Sequence, residues 1–160
     1  MPVYNHTGQV VSDIERSQRF YEEVLGFRAW YDIAIPDEAA AKLLGLEPPL
    51  GVRTSYLVLD GFVLELMQYT APGAQAAGRR RTMNEPGLTH LSISVDDIGA
   101  AAQRAVEHGG EIIEDSDLGI ALLIRDPDGQ LLELLSKEYP SSRPPRPTLS
   151  TSSGNPGGSP

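Results

Sequence analysis

With 160 residues, 40% of them hydrophobic and 22% charged, the chain has the makings of one globular domain with a substantial core. It holds no apolar run near the ~18 residues that a membrane span needs, and its net charge of −9 argues against a general nucleic-acid binder. Having no cysteine, it can form no disulfide and do no thiolate chemistry.

The opening stretch "MPVYNHTGQVV" lacks the basic flank and long apolar segment of a secretory signal, so a cytoplasmic protein is expected. A first strand covers roughly 4–11. Ser12 with Glu15 three residues on is a capping-box signal for a helix over 13–25. Ile14, Ser17, Tyr21 and Leu25 fall on one side of that helix, and Gly26 ends it. Strands follow near 27–34, 52–59 and 62–69. Between the first two lies an insertion in which Asp37 caps a short helix ending near Gly45. Asp60-Gly61 is a two-residue hairpin turn. Pairing Leu59 with Phe62 across it sets Tyr56 opposite Glu65 and Thr54 opposite Met67. After a loop over 71–86, a strand begins near His90 and Asp96 caps a second helix. Ile98, Ala101, Ala102, Ala105 and Val106 form its apolar stripe, and Gly109-Gly110 stops it. Strands near 111–115, 119–126 and 130–137 complete the series. Residues 139–160 are proline, serine and glycine with almost nothing to bury, and read as a disordered tail. Arg79-Arg80-Arg81 reads as a solvated loop.

The two halves are copies of one βαβββ unit. "HTGQVVSDIERSQRFYEEVLGF" aligns with "HLSISVDDIGAAAQRAVEHGGE" at an offset of 84, from His6 to His90. "GVRTSYLVLDGFVLEL" aligns with "GIALLIRDPDGQLLEL" at an offset of 68, from Gly51 to Gly119. The 16-residue difference is the insertion in the first copy. The domain is therefore read as 1–138, with modules 1–70 and 87–138 joined by the loop 71–86.

Two awkward residue types fall on matched positions. Glu65 and Glu133 sit among leucines in "FVLELMQY" and "QLLELLSK", where an ionised carboxylate is costly unless paired. Side chains alternate along a strand, so Leu64 and Leu66 face the helices while Val63, Glu65 and Met67 face the other way. His6 and His90, two of the three histidines, begin equivalent strands. A lone strand histidine is usually a hydrogen-bonded core residue, and a lone strand glutamate usually lies on an exposed face. Four of them in repeat-matched positions point instead to a divalent transition metal held by His6, Glu65, His90 and Glu133. His108 precedes the glycines that close the second helix and reads as structural, a cation near a helix C-terminus.

"FYEEVLGF", "GLTHLSISVDDI" and "DPDGQLLEL", set in this doubled unit, resemble the vicinal oxygen chelate superfamily, which includes glyoxalase I, methylmalonyl-CoA epimerase, extradiol dioxygenases and bleomycin- and fosfomycin-resistance proteins. The resemblance covers nearly all of 4–137. It implies an α+β fold, two tandem βαβββ modules forming a cupped, barrel-like mixed sheet, with the four ligands on first and last strands. It also implies one divalent metal (Fe, Ni, Co, Mn or Zn), a small-molecule substrate and a homodimer, the modules pairing within a chain or exchanging between two.

The reaction favoured by the resemblance is a glyoxalase- or epimerase-type lyase or isomerase. Its metal binds substrate oxygens and stabilises an enediolate, and Glu133 or Glu65 moves the proton. A second reading is an Fe(II) extradiol dioxygenase, which wants a further histidine that this chain spends on metal. A third is a non-catalytic resistance-type binding protein. Tyr56 and Thr54 are the candidate substrate contacts. Arg53 and Arg79 to Arg81 are the cations available for a glutathione or coenzyme A substrate.

Overall fold

The computed structural model of the chain describes residues 1–71, 73–75 and 82–138. The first module consists of β1 (Thr7–Val10), α1 (Ile14–Leu25), β2 (Arg28–Ala34), α2 (Asp37–Leu44), β3 (Val52–Leu59) and β4 (Phe62–Tyr69). The second holds β5 (His90–Val95), α3 (Ile98–Glu107), β6 (Glu111–Ile112), β7 (Ala121–Arg125) and β8 (Leu131–Ser136), with a 3-10 turn at Glu114–Ser116. Each module makes a four-stranded mixed sheet, in the orders β1-β4-β3-β2 and β5-β8-β7-β6. First and last strands pair parallel in both, with Gly8 beside Glu65 and Ser92 beside Glu133. Those rungs are related by the same offsets as the sequence repeat. The α+β doubled unit is thus as expected, but the two sheets are not closed into a barrel.

Leu64, Leu66, Leu132 and Leu134 are completely buried against the helices, as strand alternation requires. Burying each stabilises the fold by about 1.5–3 kcal/mol. The larger core cluster among the described residues runs through both modules, from Phe20, Tyr21, Val24 and Leu57 to Ala101, Ala105, Ile124 and Leu132, and a smaller one of Ala40, Leu50 and Val52 lies in the first. The alanines of α3 allow α1 to pack closely against it. Gly110 makes the same approach possible beyond the helix end: a Cβ there would lie 2.8 Å from Phe20 Cε2 and 2.5 Å from Arg125 O.

The caps differ from expectation by one residue, for a reason visible in each case. Asp13, not Ser12, caps α1, accepting from Arg16 N at 2.8 Å. Ser12 is drawn away because its hydroxyl donates to Asp128 Oδ1 at 2.5 Å. Asp97, not Asp96, caps α3 by accepting from Ala100 N at 2.8 Å, while Asp96 pairs with Lys137 at 2.7 Å. Asp37 is the first residue of α2, and its carboxylate instead accepts from Leu50 N and Gly51 N at 3.1 and 2.8 Å. The strand expected over 4–11 is confined to Thr7–Val10, so His6 immediately precedes it. The tail 139–160 and Arg79 to Arg81 lie outside the described residues. No helix among the described residues is long and apolar enough to cross a membrane.

A buried joint links the modules. Asp126, at the end of β7 and 3% exposed, accepts from Gln9 Nε2 at 2.6 Å and lies 3.0 Å from the Tyr21 hydroxyl. Its second oxygen holds the turn 126–130, accepting from Asp128 N at 2.9 Å and Gln130 N at 2.8 Å. Asp128 accepts from Arg16 Nη2 at 2.9 Å as well as from Ser12. Burial pushes the Asp126 carboxyl up, opposed by these hydrogen bonds. Burial, then the Asp126 charge, drives the Tyr21 hydroxyl well above its usual range.

Candidate metal centre

The turn at Asp60-Gly61 gives the expected register, with Tyr56 opposite Glu65 and Thr54 opposite Met67. Parallel pairing of β1 with β4 brings His6 beside that rung. His6 Nε2 lies 3.0 Å from Glu65 Oε2. The other oxygen, Oε1, accepts a hydrogen bond from the Tyr56 hydroxyl at 2.7 Å. The Glu65 side chain is 8% exposed, so both oxygens of a nearly buried carboxylate are engaged. Tyr56 is itself held on two sides, stacked on Tyr31 at 4.6 Å between ring centroids and met edge-on by His6 at 5.6 Å. Burial, followed by the hydrogen bond and charge of Glu65, pushes the Tyr56 hydroxyl far above its usual value, so it stays protonated and donates.

The second pair has the same strand geometry and different partners. His90 Nε2 is 3.6 Å from Glu133 Oε2, and that same oxygen accepts from the Ser92 hydroxyl at 2.6 Å. Thr89 Oγ1 sits 2.9 Å from His90 Nδ1. The Glu133 side chain is 30% exposed. Opposite it on β7 stands Leu123, which offers no side-chain donor.

The structure therefore places the four residues in two histidine–glutamate pairs, one per sheet. Among the described residues no three histidine, aspartate or glutamate side chains gather in one metal-binding group. A groove of about 980 Å³ between the edges β1 and β5 takes in Gly8, Val10, His90 and Arg125 but not His6, Glu65 or Glu133. Thr54 is 1% exposed, and its hydroxyl donates to Ile33 O at 3.1 Å. Arg53 pairs with Glu15 at 2.6 Å. His108 is the C-cap residue of α3.

Each pair suits a divalent transition metal in chemistry: an imidazole nitrogen beside a carboxylate, with further donors that orient the carboxylate. Gly8 borders the same carboxylate: a Cβ there would meet Glu65 Oε2 at an ordinary 3.5 Å and Met67 Cε at 3.0 Å, so the γ-methyls of a larger residue would reach into the space beside Oε2. Sequence reading passed over Gly8, whose counterpart in the second copy is Ser92. A Gly8→Val substitution should leave the fold intact by circular dichroism and weaken Co(II) binding about tenfold or more, as calorimetric titration would measure.

The chain belongs to the glyoxalase/bleomycin resistance protein/dioxygenase superfamily, whose family model matches residues 3–134. It is 30% identical to lactoylglutathione lyase of Pseudomonas aeruginosa over 143 residues, covering 83% of this chain and 81% of that one. It is 26% identical to the mitochondrial methylmalonyl-CoA epimerase of Bos taurus, with 81% and 71% of the two chains covered. Among solved structures, a glyoxalase family protein from Bacillus cereus superposes with a TM-score of 0.70 at 22% identity, over 83% of this chain and 92% of that one. The curated relatives are thus a lyase and an epimerase, and the solved structure shares the fold.

Proposed function

We propose that the protein is a metal-dependent lyase or isomerase that moves a proton on a small carbonyl substrate. The observation carrying this reading is the duplicated pair: His6 with Glu65 at 3.0 Å, and His90 with Glu133 at 3.6 Å, on matching rungs of two sheets. His6, Glu65, His90 and Glu133 would hold the metal, which when bound supplies Lewis acidity to the substrate carbonyl. Glu133 and Glu65 are the carboxylates we assign to take and return the proton, each standing beside a histidine of its own pair. Tyr56 lines it, while Thr54 spends its hydroxyl on the Ile33 carbonyl.

Because the two pairs do not gather within one chain, we place the complete centre in a homodimer, the first-module face of one subunit meeting the second-module face of its partner. The outward face of the first sheet supports this, exposing Val10, Tyr31 and Ile33 around Glu65 for a second copy to cover.

Chelator-stripped protein titrated with Mn(II), Co(II), Ni(II), Zn(II) and Fe(II) should take up about one metal ion per chain. Glu65→Ala should lower the affinity at least tenfold by loss of a ligand, ~1.4 kcal/mol or more. The loaded protein is then assayed for lactoylglutathione formation and for methylmalonyl-CoA epimerisation. Absence of binding with every metal would overturn the reading.

A further inference from the structure

We infer that Tyr56 is a positioning residue for Glu65, and not a substrate contact: it commits one carboxylate oxygen and leaves the other as a single donor beside His6. This rests on the metal-centre reading above and assigns within it a role that the fold does not dictate.

The argument begins with the rung that crosses the first sheet. Gly8, Glu65, Tyr56 and Tyr31 stand side by side on β1, β4, β3 and β2. A carboxylate has two equivalent oxygens and a broad terminal torsion, so an unrestrained glutamate presents one, the other or both. Here the choice is made from outside. Tyr56 donates to Oε1 at 2.7 Å, and Oε2 lies 3.0 Å from His6 Nε2. The phenol cannot readily swing away, because its ring is stacked on Tyr31 at an interplanar angle of 10° and faces the His6 edge at 86°. Gly8, lacking a side chain, borders the side on which Oε2 is presented.

The second copy makes the contrast. At the offset of the repeat, Tyr56 corresponds to Ile124, which is buried in the core, and the residue actually opposite Glu133 is Leu123. Glu133 receives its hydrogen bond from Ser92 on Oε2, the oxygen that faces His90. The donor thus lies on the far oxygen in one pair and the near oxygen in the other. Repetition built the two pairs alike, and Tyr56 makes them unequal. Partners that orient a ligand in this way typically set metal affinity over about 10–100-fold.

Co(II) titration of full-length wild-type and Tyr56→Phe proteins tests the inference, with circular dichroism confirming the fold. Phenylalanine retains the ring stacked on Tyr31 and removes only the hydroxyl. The expected result is a Kd weakened about tenfold or more together with an altered visible Co(II) spectrum. Installing 4-fluorophenylalanine at position 56, which keeps the ring and nearly the volume of the hydroxyl but cannot donate, should weaken the affinity in the same way and covers the case in which the phenylalanine variant does not fold. Equal affinity and an identical spectrum in wild type and Tyr56→Phe would overturn the positioning role alone. Wild-type protein that takes up no Co(II) would overturn the metal centre and the positioning role with it.

Discussion

Mixing inactive Glu65→Ala subunits with inactive Glu133→Ala subunits should restore activity. Each variant alone is expected to lose about 10²-fold or more, since each removes a carboxylate placed to move a proton. If the centre forms between subunits, a mixed dimer contains one site lacking both glutamates and one site lacking neither. Random reassortment makes about half of the dimers mixed, so recovery approaches one quarter of the wild-type rate. If instead one chain supplies all four ligands, every site in the mixture lacks a glutamate and mixing recovers nothing. Rates measured against the mixing ratio after subunit exchange decide between the two, with a maximum at equal amounts expected. The separation of the His6–Glu65 and His90–Glu133 pairs onto different sheets motivates this expectation.

Asp126→Ala should be the most destabilising single change at the module joint. It removes the acceptor of Gln9 Nε2 and of two turn amides, and leaves the Tyr21 hydroxyl with Gln9 Oε1, at 2.8 Å, as its remaining acceptor. Unsatisfied buried donors cost about 1–3 kcal/mol each and not additively, so a loss of about 3 kcal/mol or more is expected. That corresponds to roughly 10 °C in Tm for a domain of this size. Urea unfolding would measure it. Asp126→Asn should cost less and carries a pH signature. Burial raises the Asp126 carboxyl in the folded state, so the folded chain holds that proton more tightly than the unfolded one. The resulting stability is fully present below the ordinary carboxylate range and is lost as pH rises through the raised folded value. Wild type should therefore lose stability relative to the asparagine variant across that acidic window and then level off. A gap that stays constant with pH would contradict the assignment.

Much of the fold was legible because its signals are local. The Asp60-Gly61 turn dictates a register in which Tyr56 meets Glu65, and Gly26 and Gly45 close their helices in the left-handed conformation. The repeat carried the rest, since matching punctuation in two copies is hard to produce by accident. What sequence could not show depends on contacts across the modules. Ser12 looks like the better cap until Asp128 arrives from more than a hundred residues away to claim it. "DPDG" announces a turn by its composition, and turn chemistry accounts for its aspartates so well that nothing marks them as a joint. The matched histidines and glutamates were visible; that they stand in two separate pairs was not, because pairing within a sheet is readable from strand register and packing between sheets is not.

The joint also shows how far the two copies have parted. The positions in the second copy that correspond to Gln9 and Tyr21 are Ile93 and Ala105, and the position in the first copy that corresponds to Asp126 is Val58. Receptor and insert are each present once, in opposite halves. A chain engineered from two first modules would have nothing to insert, and one from two second modules nowhere to insert it. The halves are related as a lock is to its key, so what joins them is their difference and not their likeness.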